Sequence, residues 1–181
     1  LQKNKMQTFA AFLRGINVAG QKSIKMVELK AMMEDFGFEE VQTYIQSGNI
    51  FFKSKEKEEG KLQAKIKKGI LDTFNFVVPV LVWPTSLINE YLKSNPYLSK
   101  KPEEGRLYYT LLSEKPTKEN VEKLMALAND IDLYTVHEKI IYILVNTKYS
   151  DSKFSNNLIE KVLKVEATTR NHATMVKMGG G

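Results

Sequence analysis

The stretch Phe9–Met26, FAAFLRGINVAGQKSIKM, decides how the chain is read. Thr8 to Leu13 is an apolar run of strand length that ends at Arg14-Gly15. From Met26 the spacing changes to that of a helix: Met26, Leu29, Met32, Met33 and Phe36 recur on one face. Ser23 is placed to cap its start and Gly37 to end it. A methionine stripe can serve as an adaptable binding surface, but helical spacing already accounts for this one as core packing. Between strand and helix lies a loop rich in Gly, Asn and Lys.

Working outward, Val41 to Gln46 reads as a second strand, Ser47-Gly48-Asn49 as a turn, and Asn49 to Lys53 as a third strand. A charged connection, KSKEKEEGK (53–61), leads to a second helix carrying Leu62, Ile66, Ile70, Leu71 and Phe74. Val77 to Trp83 reads as a fourth strand. Pro79 inside it removes a ladder donor, so this strand belongs at a sheet edge. Strand, helix, strand, strand, helix, strand is the split β-α-β, ferredoxin-like order, in which the fourth strand lies at an edge.

Residues 85–105 form a connection, with a short helix (Leu87, Ile88, Tyr91, Leu92) and then the breaker-rich SNPYLSKKPEEG. The pattern then repeats: a strand Arg106–Leu112; a helix capped by Thr117 and carrying Val121, Leu124, Leu127 and Ala128; and a hairpin, Leu133–Val136 with Ile140–Val145, around His137-Glu138-Lys139. A helix follows from Phe154 to Leu163, with Asp151 as the acid best placed to cap it. Thr168-Thr169-Arg170-Asn171 and a short tail close the chain, and no closing strand is evident. The expected fold is α+β: two ferredoxin-like units with antiparallel sheets, residues 6–84 and 106–181, the second incomplete.

At 181 residues, 43% hydrophobic and 27% charged, the chain can build one large domain or two small ones. It has no cysteine, which excludes disulfides, thiol catalysis and zinc-thiolate sites. No apolar run approaches the ~20 residues of a membrane helix, and no apolar leader follows the basic N-terminus, so a cytoplasmic protein without a membrane partner is expected. With only His137 and His172, and no clustered ligands, nothing calls for a metal or a cofactor. The net charge of +6 favours a polyanionic partner, although small lysine-rich proteins are often basic for no such reason.

In the traced topology the Arg14–Lys25 loop and the Ser47-Gly48-Asn49 turn share one end of the first unit. His137-Glu138-Lys139 and Thr168–Asn171 are expected at the matching end of the second. Packed side by side, the units would line one cleft with these loops. The candidate set is Arg14, Gly15, Asn17, Lys22, Ser47, Gly48, Asn49, Thr169, Arg170 and Asn171. It is rich in donors and backbone amides and suits a small anionic or phosphate-bearing ligand. GINVAGQKS approaches a P-loop, but Gln21 stands where the lysine is required, and a P-loop enzyme needs a parallel sheet and a strand-end Asp for magnesium, which VVPVLVWP (77–84) lacks, so nucleotide hydrolysis is not supported. RNA binding is the alternative, through Phe9, Phe51, Phe52, Tyr108, Tyr109 and Tyr142 on predicted strands, but the RNA-recognition signature is missing. An enzyme on the same loops is a third reading. No nucleophile elbow is present and no reaction is assigned.

Two runs carry a family resemblance. FLRGINVAGQKSIKMVELKAMMEDFGFEEVQTYIQSGNIFF (12–52) resembles the N-terminal signature of the bacterial domain of unknown function 1697 family, and KFSNNLIEKVLKVEATTRN (153–171) resembles its closing motif. The resemblance implies tandem ferredoxin-like units and brings no established activity. The family's recurring residues correspond to Arg14, Gly15, Asn17, Gln46, Ser47, Gly48, Asn49, Thr169, Arg170 and Asn171. The chain departs from the family at His172, where a tryptophan is usual.

Overall fold

Alternation along β1 (Gln7–Leu13) sets the first sheet: Phe9, Ala11 and Leu13 enter one apolar cluster. The structure, a computed structural model, describes residues 5–146 and 154–180. After β1 come α1 (Met26–Asp35), β2 (Glu39–Tyr44), β3 (Asn49–Ser54), α2 (Glu59–Phe74) and β4 (Val80–Pro84). The sheet order is β2-β3-β1-β4, with every pairing antiparallel. Leu29, Met32 and Met33 of α1 and Leu62, Ile66 and Ile70 of α2 join β-strand residues Ile50, Phe52, Val80 and Val82 in the core. The methionine stripe is thus packing. Phe52 is the hinge of this core, stacked on Phe9 at 5.6 Å and tilted against Phe38 at 4.7 Å.

The second sheet repeats the plan. α3 (Thr85–Lys93) precedes β5 (Leu107–Leu112), α4 (Lys118–Met125), β6 (Leu133–His137), β7 (Ile140–Leu144), α5 (Asn156–Leu163), β8 (Ala167–Asn171) and α6 (His172–Met178). Its order is β6-β7-β5-β8, again antiparallel. Leu112, Leu124, Ile141, Ile143, Phe154, Ile159 and Leu163 form its core. The chain is therefore α+β with two four-stranded antiparallel sheets and interleaved helices, consistent with tandem ferredoxin-like units. The described residues divide into two compact units, 5–88 with 178–180, and 89–146 with 154–177. Among the described residues no helix is long and apolar enough to cross a membrane.

Four expectations need correction. The second unit is not incomplete, because residues 167–171 form β8 beside β5. Its sequence, ATTRN, hides the strand because polar side chains on it bond within the sheet and to α5: Thr169 Oγ1 lies 2.7 Å from Thr110 Oγ1 across the strands and 2.7 Å from Asn156 Oδ1. Pro79 lies just outside β4, which starts at Val80; the strand is at the sheet edge, and Pro79 contributes a carbonyl to the loop that follows β1. Lys25, rather than Ser23, takes the N-cap position of α1, and its side chain makes no capping bond. At the other end of α1 Gly37 does act as the stop: its N–H donates to Glu34 and that of Phe38 to Met33, the paired bonds of a Schellman motif. Asp151 lies outside the described residues, and the cap of α5 is Ser155, whose Oγ accepts from the Leu158 N–H.

Thr117 caps α4 by accepting from the Asn120 N–H at 3.2 Å. Thr117→Ala should cost about 1 kcal/mol in urea unfolding. Lys25→Ala, which removes no cap bond, should stay within about 0.5 kcal/mol of the parent.

Candidate functional site

The chain leaves β1 at Leu13, whose N–H donates to the Gly48 carbonyl (2.8 Å), and the Arg14 N–H donates to the Pro79 carbonyl (3.1 Å). The Arg14–Lys25 loop, the β2–β3 turn and the start of β4 therefore meet at one end of the first sheet. Asn17 fastens them. Its Nδ2 donates to the carbonyls of Ile24 (3.0 Å) and Gln46 (2.8 Å), while its Oδ1 accepts from the Ile24 N–H (2.8 Å). Ile16 and Ile24 anchor the loop by burial, each 2% exposed. Asn49 does the same work in the turn: fully buried, it donates through Nδ2 to the Tyr44 carbonyl and the Ser47 hydroxyl, both at 3.1 Å.

This end is built on left-handed backbone. Gly15, Asn17, Ala19, Gly20 and Lys22 have φ between 47° and 76°, and Ile45 sits at 50°. Gly48, at φ 89°, has a second reason to be glycine: a Cβ there would meet Leu13 Cβ at 2.7 Å and Ile16 Cδ1 at 2.9 Å. The candidate residues thus fall into two groups. Asn17, Gly48 and Asn49 are used in building the loops. Gly15, Lys22 and Ser47 are exposed, and Arg14 is half-buried. The Lys22 ammonium donates to the Val77 carbonyl at 2.9 Å, tying in the segment before β4.

Charge is segregated along the unit. Segments 14–25, 45–48 and 75–79 contain Arg14, Lys22 and Lys25 and no carboxylate; the nearest acids along the chain are Glu28, in the first turn of α1, and Asp72, in the last turn of α2, where it pairs with Lys68. At the opposite end cations and acids are mixed and paired, as in Lys53–Glu40 (2.8 Å) and Lys61–Glu58 (2.9 Å).

In the second unit the register corrects the tracing. Thr168 pairs with Leu111 and Asn171 with Tyr108, so β8 runs away from the His137-Glu138-Lys139 hairpin. Thr169 is bonded to Thr110 and Asn156, as above. Arg170 Nη1 donates to Thr168 Oγ1 (2.6 Å) and the Thr169 carbonyl (3.0 Å), and burial lowers its guanidinium to about 10, still charged at neutral pH. Asn171 Oδ1 accepts from the Thr174 N–H at the start of α6.

Sequence reasoning missed a polar network centred on Tyr109. Asn95 Nδ2 donates to its hydroxyl (2.9 Å), and that oxygen lies 2.8 Å from Nδ1 of His172, whose ring stacks on Tyr109 at 5.7 Å. The one signal in the sequence was His172, directly after the closing run of the resemblance; Asn95, in a breaker-rich stretch, gave none. Burial pushes the Tyr109 hydroxyl up to about 12, against the opposing pull of the Asn95 bond. It therefore stays protonated at neutral pH and does not serve as a base there.

The strand aromatics give little platform for base stacking: Phe9, Phe52, Tyr109 and Tyr142 are buried, while Phe51 and Tyr108 are partly so. Among the described residues, no group of three His, Asp or Glu side chains is placed to hold a metal ion.

Asn17→Ala should cost about 2–4 kcal/mol in denaturant unfolding, because it strands the Ile24 N–H and two carbonyls at once. Gly48→Ala should cost a similar amount, about 2–4 kcal/mol, through overpacking and left-handed strain. For Tyr109 the folded pKa lies above the unfolded value near 10, so its contribution is complete below pH 10 and is lost as pH rises from about 10 to about 12. Tyr109→Phe should be about 1 kcal/mol less stable at pH 7, and its stability should fall less steeply than the parent's across that window in denaturant titrations.

Comparison with curated proteins finds no match. Among solved structures, the conserved bacterial protein SP0830 from Streptococcus pneumoniae superposes with a TM-score of 0.73 at 25% identity, over 97% of this chain and 98% of that one. A family model described as "Protein of unknown function (DUF1697)" matches residues 6–142, so the closing run 153–171 lies beyond the match. With most of its length inside that match, the chain belongs to the DUF1697 family.

Proposed function

We propose that the first unit binds an anionic ligand, bearing phosphate or carboxylate, at its loop end through Arg14, Lys22 and Lys25. The observation that carries this reading is the single sign of charge there: three cations and no carboxylate across segments 14–25, 45–48 and 75–79. Cations without interspersed acids raise the local concentration of an anion. The loop is held in place before any ligand arrives, by Asn17 and by buried Ile16 and Ile24, which lowers the ordering cost of binding. The first turn of α1 adds backbone donors that no side chain caps. The reading needs only the first unit. Thr169 and Asn171 are engaged by the fold of the second and are left out of it.

A thermal-shift screen of phosphate, pyrophosphate, nucleotides and dicarboxylates tests the proposal. A ligand at about 100-fold over its dissociation constant should add about 2.7 kcal/mol and raise the midpoint by several degrees. The shift should shrink in Arg14→Ala and in Lys25→Ala and fade with added salt. A shift equally large in both variants, or none from any anion, would sink the reading.

A further inference from the structure

The same loop end exposes apolar side chains that neither the fold nor an anion explains. Val18 is 60% exposed, Ile45 50% and Val77 67%. They come from three loops tied together by the Asn17–Gln46 and Lys22–Val77 bonds. Ile45 is the telling one. Asn49 Nδ2 holds the carbonyl of Tyr44 on one side of it, and Asn17 Nδ2 holds the carbonyl of Gln46 on the other. The peptide before Ile45 and the one after Gln46 are thus pinned, with Ile45 between them at φ 50°. A β-branched residue is a genuine outlier there; glycine or asparagine would hold the conformation with less strain and no exposed apolar surface. A strained residue whose side chain adds nothing to the core points to a role outside the fold.

We infer that this end of the first unit docks an acidic protein segment, its carboxylates on Arg14, Lys22 and Lys25 and an apolar side chain against Val18, Ile45 and Val77. The inference rests on the anion-binding reading and names what carries the anion. Charge complementarity selects an acidic occupant. The exposed trio is aliphatic, so it offers no π-face on which a nucleic-acid base would stack. It also has no Trp or Tyr of the kind that anchors loops at a membrane interface.

The test is selection of short random displayed peptides on the immobilised full chain, read against Ile45→Asn, which suits the left-handed position and so keeps the fold. Selected peptides should be enriched in Asp and Glu flanking an aliphatic residue and bind Ile45→Asn about tenfold more weakly. The phosphate-induced thermal shift should be unchanged in Ile45→Asn. Val18→Ser, which leaves the pinned turn untouched, should weaken the peptides in the same direction. Peptides without acids, or peptides that bind Ile45→Asn and Val18→Ser as tightly as the parent, would overturn the inference. So would preferential capture by oligouridylate or by phosphatidylserine vesicles. No peptide enrichment, with the phosphate shift intact, would overturn it while leaving the anion-binding reading standing. Loss of both would remove the two together.

Discussion

One side-chain amide holds the loop end of the first unit. A twelve-residue excursion between a strand and a helix would ordinarily leave several backbone groups without partners, since regular ladders stop at Leu13 and resume at Met26. Asn17 supplies two donors and one acceptor inside that gap, to Ile24 on its own loop and to Gln46 on the neighbouring turn. The side chains flanking it in the loop, Ile16 and Ile24, are buried. The result is a loop fixed by one amide and two apolar anchors. Its tip, residues 18–23, stays in solvent with a defined backbone.

The second unit has the same strand order but different fastenings. Its closing strand is sewn in by hydroxyls, Thr169 to Thr110 and Asn156, and its last residue, Asn171, turns the chain into α6. Tyr109 is satisfied from both sides by Asn95 and His172. His172 contributes a ring that both stacks on Tyr109 and hydrogen-bonds its hydroxyl. The units share a topology because apolar alternation and helix spacing dictate it. Polar stitching is particular to each unit, and so the halves diverge.

That division also explains what could be read from the sequence. Strand order, the helix faces, the Thr117 cap and the Gly37 stop were legible, because each is written in spacing or in one residue with a single good use. The strand ATTRN was not, because its stability comes from hydroxyl pairs with residues far along the chain. The start of β4 is hidden because Val77 and Val78 look alike in sequence, yet Val78 is buried, Val77 is 67% exposed and the strand begins only at Val80. At the site, the donors of the Arg14–Lys25 loop were visible as residue types. Which of them the fold would use for itself depended on contacts between Asn17 and Gln46, across a separation no local pattern records.

A signature residue and a ligand contact are therefore different things here. Asn17, Gly48 and Asn49 belong to the signature that the family resemblance rests on, and each has a full structural reason to be what it is. Their demands are on shape: left-handed backbone, a missing Cβ, pinned carbonyls. Residues that answer to no such demand carry the functional argument. Lys25 sits at a cap position without capping, and Ile45 occupies a conformation that a smaller or more polar residue would take more easily. The pinned carbonyls on either side of Ile45 come from the very asparagines that make the signature. The fold thus fixes the backbone under a side chain that stays half-exposed and outside the core cluster. An exposed apolar group at a strained position, beside cations with no acid among them, is what a binding surface requires and a folding core does not.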